Sequence, residues 1–417
     1  MDKIIINLNE LLLCLSNAQD LVSPLLRNHH EQVGYLAFRL AEQLKLSNKQ
    51  QKNIFIAAQI HDIGSFSTDE RLELIETEPI GVNNHAFIGA RIVEDFRPLR
   101  QLSNFIRYHH LPWNDGKGSM YMGNDVPLES HIIHLADRVC TKIDIHKNII
   151  SQIPFILSEI DKGRGTLFVP KVVDALIALS KTEYIWLDLI SQSPVKKLPK
   201  GIYEVLALDI DDIVDISSMF SKIIDFRSRY TSRHSAGVAK TAQRLAELVG
   251  FSKYECKMML VAGYLHDLGK LAIRNDVLEK PSKLDEDEFN EIRSHTYYTY
   301  QLLDSIPQFD TIKTWASYHH EKISGNGYPF HIKDNNLSLG ARVMAVADVF
   351  TAITEDRPYR KGMSVEQAKE VLHSMVDSGA LDKRVVDILC DNFDAINSLR
   401  KNEQKKAQKL YESFLSE

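Results

Sequence analysis

Seven histidine and aspartate residues occur twice along this chain, in the same order, and this repetition constrains the fold more than any other feature. The first set is His29, His61, Asp62, His85, His109, His110 and Asp137; the second is His234, His266, Asp267, His295, His319, His320 and Asp348. The first histidine precedes the His-Asp pair by 32 residues in both sets (29 to 61, 234 to 266). The isolated histidine precedes the His-His pair by 24 in both (85 to 109, 295 to 319). A shift of 205 positions also lays Ser47 on Ser252, Gln50 on Glu255, and Arg39-Leu40-Ala41-Glu42 on Arg244-Leu245-Ala246-Glu247. A duplicated domain of about half the chain follows from this self-similarity.

Each copy reads as helical. Val238, Leu245, Leu248 and Val249 recur near one helix face, and Gly250 stands at a stop position. Ser252 with Glu255, and Ser47 with Gln50, form capping-box pairs ahead of apolar runs. Alternating Val/Ile/Thr stretches of strand length are scarce. The expectation is an all-α protein of two tandem helical domains, 1–197 and 198–417. The proline-, lysine- and glycine-bearing stretch Pro194 to Gly201 is the linker candidate.

Composition narrows the function classes. Of 417 residues, 44% are apolar and 25% charged, as in ordinary globular proteins. A net charge of −6 offers nothing to recruit a nucleic acid polymer or an anionic membrane. No uninterrupted apolar stretch reaches the roughly 18 residues of a membrane span. Met1 to Leu15 lacks the basic start of a signal peptide. Cys14, Cys140, Cys256 and Cys390 are not at metal-ligand spacing and read as reduced thiols of a cytoplasmic protein.

The residue types point to metal chemistry. Imidazole and carboxylate suit iron, manganese or zinc, and no thiolates favour a closed structural zinc site. Asp267 follows His266 directly, so its carboxylate can bridge two ions. His319 and His320 on a helix would project about 100° apart and serve different ions or different sides of one. Two ions about 3.5–4 Å apart suit in-line displacement at phosphorus. The plainer alternative is a duplicated fold that keeps these polar residues only as structure.

His266-Asp267 is the signature of the HD superfamily of metal phosphohydrolases. His266-Asp267-Leu268-Gly269-Lys270, His319-His320-Glu321 and Gly325-Asn326-Gly327-Tyr328-Pro329 resemble the HD-GYP subfamily, and Arg357-Pro358-Tyr359-Arg360 extends the similarity over about residues 220 to 395. The resemblance implies an all-helical fold and a bimetallic site, often containing iron. It also implies hydrolysis of cyclic di-GMP or, in members that include tandem HD proteins, of 3′,3′-cyclic GMP-AMP. By position it makes the seven residues of the second set ligands of two divalent ions, iron or manganese, with Asp267 and Lys270 catalytic. Lys270 would contact the scissile phosphate. Arg357 and Arg360 would hold phosphate or base edges, and Gly327, Tyr328 and Pro329 would line the substrate groove. A homodimer or a signalling-protein partner is compatible with the family.

Three positions depart from the family. Tyr230 stands where some relatives place a glutamate for a third metal, so two ions are expected. Thr351 replaces a frequent aspartate three residues after the last ligand, which puts outer support of a ligand in doubt. Arg274 replaces a frequent proline. The first half keeps all seven ligand types as a second candidate metal site. It has Ser65 at the lysine position, however, and Trp113 to Gly118 in place of the Gly-Tyr-Pro loop. It therefore resembles an HD domain without GYP features: a second hydrolase, a regulatory module or a structural support. Two rivals to a cyclic dinucleotide phosphodiesterase stay open. One is an effector that binds without turnover. The other is a nucleotide phosphohydrolase working through the first domain.

Overall fold

The computed structural model of the protein describes residues 4–20, 28–65, 83–199, 202, 205–226, 233–280, 282–356 and 361–415. The chain divides into two compact units, residues 7–205 and residues 206–417 joined by 1–6. The chain opens on a strand, β1 (Ile4–Asn7). The first unit then runs through α1 (Leu8–Asp20), α2 (His29–Gln43), α3 (Asn48–Gln59), α4 (Asn83–Glu94) and α5 (Ser103–Arg107). A small hairpin follows, β2 (Met120–Tyr121) with β3 (Asn124–Asp125), then α6 (Leu128–Cys140), α7 (Ile149–Lys162), α8 (Pro170–Leu179) and α9 (Tyr184–Leu189). β4 (Val205–Leu208), paired with β1, leads into the second unit. That unit holds α10 (Ile210–Phe226), α11 (His234–Val249), α12 (Lys253–Leu265), α13 (Asn275–Leu278), α14 (Glu286–Asp304) and α15 (Asp310–Ser317). It closes with α16 (Leu339–Thr354), α17 (Val365–Asp377), α18 (Lys383–Asp391) and α19 (Phe393–Leu415). The protein is all-α.

Local sequence accounts for the matching helix starts. Ser47 and Gln50 close a reciprocal capping box on α3, and Ser252 and Glu255 do the same on α12. Each satisfies two donors that a bare helix start leaves orphaned. Gly250 ends α11 in the left-handed conformation. α6 is buried from Ser130 to Cys140, and α16 is buried over most of its length from Gly340. Each anchors its unit and carries the last aspartate of its set.

The glycine after each His-Asp pair fixes how the units pack. A Cβ on Gly64 would lie 2.1 Å from the His85 carbonyl oxygen, and one on Gly269 would lie 2.0 Å from that of His295. Only glycine lets the His-Asp turn press on the helix that bears the isolated histidine. In the second unit Thr299 seals this contact: its hydroxyl donates to the His266 carbonyl at 3.0 Å and accepts from the Gly269 amide at 2.9 Å. The Pro194 to Gly201 stretch begins with a tight turn whose Pro194 and Val195 are buried; Lys200 and Gly201 lie outside the described residues.

Candidate metal centre

The two units present their seven residues from equivalent places. The first histidine opens α2 or α11, and the His-Asp pair occupies the turn after α3 or α12. The isolated histidine lies within α4 or α14, and the final aspartate within α6 or α16. The His-His pairs lie just beyond α5 and α15, which corrects their expected position on a helix. α15 ends at Ser317, and the chain closes a tight turn in which the Glu321 amide donates to the Tyr318 carbonyl at 3.0 Å. The turn, unlike a helix, brings both histidines to one place. His319 and His320 converge with His295, and His109 and His110 converge with Asp62 and His85. A further group in each unit is His29, His61 and Asp137, or His234, His266 and Asp348, and His30 also approaches His61 and Asp62 in the first unit.

Backbone carbonyls fix the tautomers. Nδ1–H of His61 donates to Ala58 at 2.9 Å and that of His109 to Ile106 at 2.6 Å. In the second unit His266 donates to Gly263 at 2.7 Å, His295 to Ile292 at 2.6 Å and His319 to Ala316 at 2.6 Å. In its neutral form each of these rings therefore aims an Nε2 lone pair inward. The Nε2 atoms of His295 and His319 face each other at 3.2 Å. Two lone pairs at that distance repel unless a cation lies between or beside them. Nitrogens about 2.1 Å from one ion and at right angles would stand about 3.0 Å apart.

The His-Asp carboxylate joins the two groups. Asp267 Oδ2 lies 3.3 Å from His266 Nε2, and Oδ1 lies 3.4 Å from His295 Nε2. In the first unit Asp62 Oδ2 is 3.4 Å from His61 Nε2 and Oδ1 is 3.2 Å from His85 Nε2. One oxygen thus faces each group, the disposition of a bridging carboxylate. The last aspartate repeats too: His234 to Asp348 and His29 to Asp137 are both 3.2 Å. Nε2 of His61, His85, His109 and His266, with Asp62 Oδ1, is buried without a hydrogen bond. Buried polar atoms left this way are costly unless something else meets them. The donor set fits divalent cations, one per group.

Electrostatics divides the rings into two kinds. Burial pushes His109 down to about 4 and His295 down to about 3, and lowers His319 and His320 as well. These rings are neutral near pH 7, as metal ligands must be. Burial also opposes charge on His61 and His234. The neighbouring carboxylates outweigh it, Asp62 lifting His61 up to about 9 and Glu355 lifting His234 up to about 10. Burial resists ionisation of Asp62 and Asp267, yet His61 in one unit, and His266 with Lys270 in the other, hold the carboxyls well below the usual range.

Comparison with known proteins agrees with this architecture. Residues 26–142 and 218–385 each match the family described as HD domain. The chain is 29% identical over 397 residues to 3′3′-cGAMP-specific phosphodiesterase 1 of Vibrio cholerae, covering 93% of this chain and 92% of that one. It is 31% identical over 343 residues to 3′3′-cGAMP-specific phosphodiesterase 3 of the same organism, covering 80% and 72%. The chain belongs to the HD-GYP family of cyclic dinucleotide phosphodiesterases. The crystal structure of a cyclic GMP-AMP specific phosphodiesterase of V. cholerae shares the fold, with a TM-score of 0.64 at 24% identity over 94% of this chain and 98% of that one. No helix among the described residues is long and apolar enough to cross a membrane.

The HD-GYP features gather on the second unit. Lys270 Nζ lies 2.6 Å from Asp267 Oδ2, so it faces the bridging carboxylate. The Gly-Tyr-Pro loop folds back on the His pair. The Tyr328 ring lies 5.0 Å from that of His320 and under the Arg293 guanidinium at 4.9 Å. A Cβ on Gly327 would meet backbone atoms of residues 320–322 at 2.4–2.6 Å. The buried Glu321 carboxylate accepts from the amides of Phe330 at 2.6 Å and Ile332 at 3.1 Å and anchors the loop. Tyr230, Arg357 and Arg360 lie outside the described residues. Arg274 pairs on the surface with Glu291. In the first unit Ser65 is buried, and the Trp113 to Gly118 loop is pinned by its own amides to the carbonyls of residues 165–167.

Two outer partners escaped the sequence reading. Thr351 is buried with its hydroxyl unbonded, whereas Glu355, one turn further, accepts from His234 Nδ1–H at 3.2 Å. In the first unit Arg138 grips the adjacent Asp137 Oδ2 with Nε at 2.9 Å and Nη2 at 2.7 Å. The seven-residue step from Asp348 to Glu355 was the available signal, since residues seven apart share a helix face.

Proposed function

We propose that the second unit hydrolyses 3′,3′-cyclic GMP-AMP, opening the ring to a linear dinucleotide with a 5′-phosphate. One observation carries this: in that unit alone a bridging Asp267, a lysine beside it and the Gly-Tyr-Pro loop occur together. The two V. cholerae relatives that align across both units support the substrate, since both names specify 3′3′-cGAMP.

We assign His234, His266, Asp267, His295, His319, His320 and Asp348 as ligands of two divalent cations, with iron or manganese favoured by the nitrogen and oxygen donors. When bound, such a pair supplies Lewis acidity at the scissile phosphate. The chain's own groups do the rest. Asp267 holds the two histidine groups in register, and Lys270 offsets negative charge growing on the phosphoryl oxygens. Tyr328, held between His320 and Arg293, ties the Gly-Tyr-Pro loop to the His pair. The oxygen of a water bonds to phosphorus as the bond to the 3′ oxygen breaks, and the 3′ oxygen leaves as a hydroxyl with a proton from that water.

His29, His61, Asp62, His85, His109, His110 and Asp137 form a second centre by the same reasoning. With Ser65 in place of the lysine it is suited at most to a smaller phosphate ester, such as the 5′-phosphate of the linear product. None of the four cysteines forms a disulfide, which supports a reducing, cytoplasmic setting.

The test uses the metal-loaded full chain with cyclic and linear dinucleotides. Asp267→Ala should stop ring opening and Asp62→Ala should spare it. Ring opening abolished by Asp62→Ala alone, in a folded protein, would move the active site to the first unit. Faster turnover of cyclic di-GMP than of 3′,3′-cyclic GMP-AMP would reverse the substrate assignment.

A further inference from the structure

The second unit contains a cavity of about 520 Å³ beside the start of α11, the end of α16 and α19. None of the seven histidine and aspartate residues lines it, nor do Lys270 and Tyr328. Among the described residues its wall carries four cationic side chains, Arg233, Arg400, Lys401 and Lys405, against one carboxylate, Asp356. A protein with a net charge of −6 has concentrated positive charge at this concavity. The size falls within the roughly 300–1,000 Å³ of small-molecule sites.

Arg400 makes the cavity more than a basic surface. It is only 1% exposed, yet each of its hydrogen bonds ends on a neutral acceptor. Nη2 donates to the Thr354 carbonyl at 3.1 Å and to Asn397 Oδ1 at 2.8 Å, Nε to Asn397 Oδ1 at 3.2 Å, and Nη1 to Gln404 Oε1. These four bonds leave one of its five N–H groups over. A buried guanidinium normally has a carboxylate or phosphate against it. Burial draws Arg400 down to about 10, outweighing the pull of the nearby Glu355 and Asp356 carboxylates, neither of which hydrogen-bonds to it.

The same arginine is wired to the metal centre. Gln404, held by Arg400, donates from Nε2 to Glu355 Oε2 at 3.0 Å, and that oxygen accepts from His234 Nδ1–H at 3.2 Å. Gln404 is also fixed from the other side, because a Cβ on Gly237 of α11 would lie 2.7 Å from its Nε2. The path runs from cavity wall to candidate ligand through three side chains.

We infer that this cavity is an anion site for a small phosphorylated ligand, and that its occupancy tightens metal binding at the second centre. A phosphate against Arg400, Lys401 and Lys405 gives the guanidinium a directly bonded anion, which its present neutral acceptors do not. It relieves the pull of the guanidinium on Glu355 and leaves that carboxylate a stronger acceptor for His234, hence His234 a better donor. By linkage the metal must tighten the anion equally. The coupling rests on His234 being a metal ligand; the anion site does not.

The experiment compares the full-length, manganese-loaded protein with Lys401→Glu/Lys405→Glu and with Asp267→Ala. Both lysines are exposed, so the double variant should fold and keep its basal turnover. Calorimetric titration with guanosine 5′-monophosphate should show one more equivalent bound in the parent than in the double variant. Asp267→Ala should retain that equivalent. A parallel titration with inorganic phosphate tells whether phosphate alone suffices or the nucleoside adds to it. The ligand should tighten manganese at the second centre about fivefold in the parent and not in the double variant. Identical isotherms in parent and double variant would overturn the site. Loss of the extra equivalent in Asp267→Ala would place the anion on the metals and overturn it too. Binding with manganese affinity unchanged would overturn the coupling.

Discussion

Glu355 offers a sharp test of how the second centre is built. Its carboxylate accepts from His234 Nδ1–H at 3.2 Å with both side chains buried, and His234 Nε2 stands 3.2 Å from Asp348. Glu355→Gln keeps the shape and an acceptor oxygen but removes the charge. A full unit charge about 4 Å away at an effective dielectric of 20 is worth about 4 kcal/mol, which bounds the loss from above. Only part of that charge is transmitted through a neutral, metal-facing imidazole. Removal of such outer partners typically weakens metal binding about 10–100-fold, or about 1.4–2.7 kcal/mol. We expect a loss in this range at the second centre and none at the first, with helix content intact. Chelator competition for manganese measures both, run in an Asp62→Ala background where the second centre alone reports and in an Asp267→Ala background where the first does. Thr351→Asp serves as the counterpart, placing a carboxylate where the family often has one. Unchanged manganese affinity in Glu355→Gln would refute the argument that this carboxylate supports His234.

Three further outcomes follow from the same geometry. Lys270→Ala should leave metal content intact and slow ring opening by the equivalent of about 2–4 kcal/mol, the range for a single preorganised donor; an unchanged rate constant would make the lysine a bystander to the carboxylate it touches. Gly327→Ala puts a methyl 2.4–2.6 Å from the backbone of residues 320–322, so the loop must lift Tyr328; KM should rise with metal content unchanged, and kinetics matching the parent would show that the loop does not meet substrate. Asp225, which accepts from the Ser235 amide and hydroxyl, is lifted by burial from 3.8 up to about 7. The folded unit therefore keeps a proton that the unfolded chain has released. The stability this group contributes is complete below the unfolded value and is lost as pH rises through 7, at about 1.4 kcal/mol per pH unit in between. Denaturant unfolding of the second unit at pH 5 and pH 7 should show Asp225→Asn gaining on the parent by about 2–3 kcal/mol, and no relative gain would mean the carboxyl is ionised throughout.

Much of the centre was legible because its spacing is set by local structure. The 32-residue interval from the first histidine to the His-Asp pair spans the whole of α2 and α3 or of α11 and α12, and a helix pair of fixed length returns its end to its start. Capping residues were legible for the same reason: Ser252 and Glu255 act within four residues of chain. The turn at Tyr318 was not, since nothing local in Trp315 to His320 stops a helix. The stop comes from packing, which needs both rings at one place. Glu355 was missed because its partner lies 121 residues away.

The comparison of Glu355 with its counterpart shows how a duplicated frame acquires two characters. Asp144 lies seven residues after Asp137 as Glu355 lies seven after Asp348, so both copies placed an acid at this step. α6, however, ends at Cys140, three residues after its aspartate, whereas α16 runs on to Thr354, six after its own. The longer helix delivers Glu355 to His234. The shorter one releases Asp144 into an exposed turn, where it pairs with Lys147 at 2.9 Å. The first unit then meets its outer shell with the opposite charge, Arg138 on Asp137, at a position where the second has Val349. A carboxylate behind a histidine strengthens a donor, while a guanidinium on an aspartate withdraws from one. Identical inner residues would therefore offer a metal different donor strength in the two units. The longer α16 sets an acid behind His234 in the unit that also carries Lys270 and the Gly-Tyr-Pro loop.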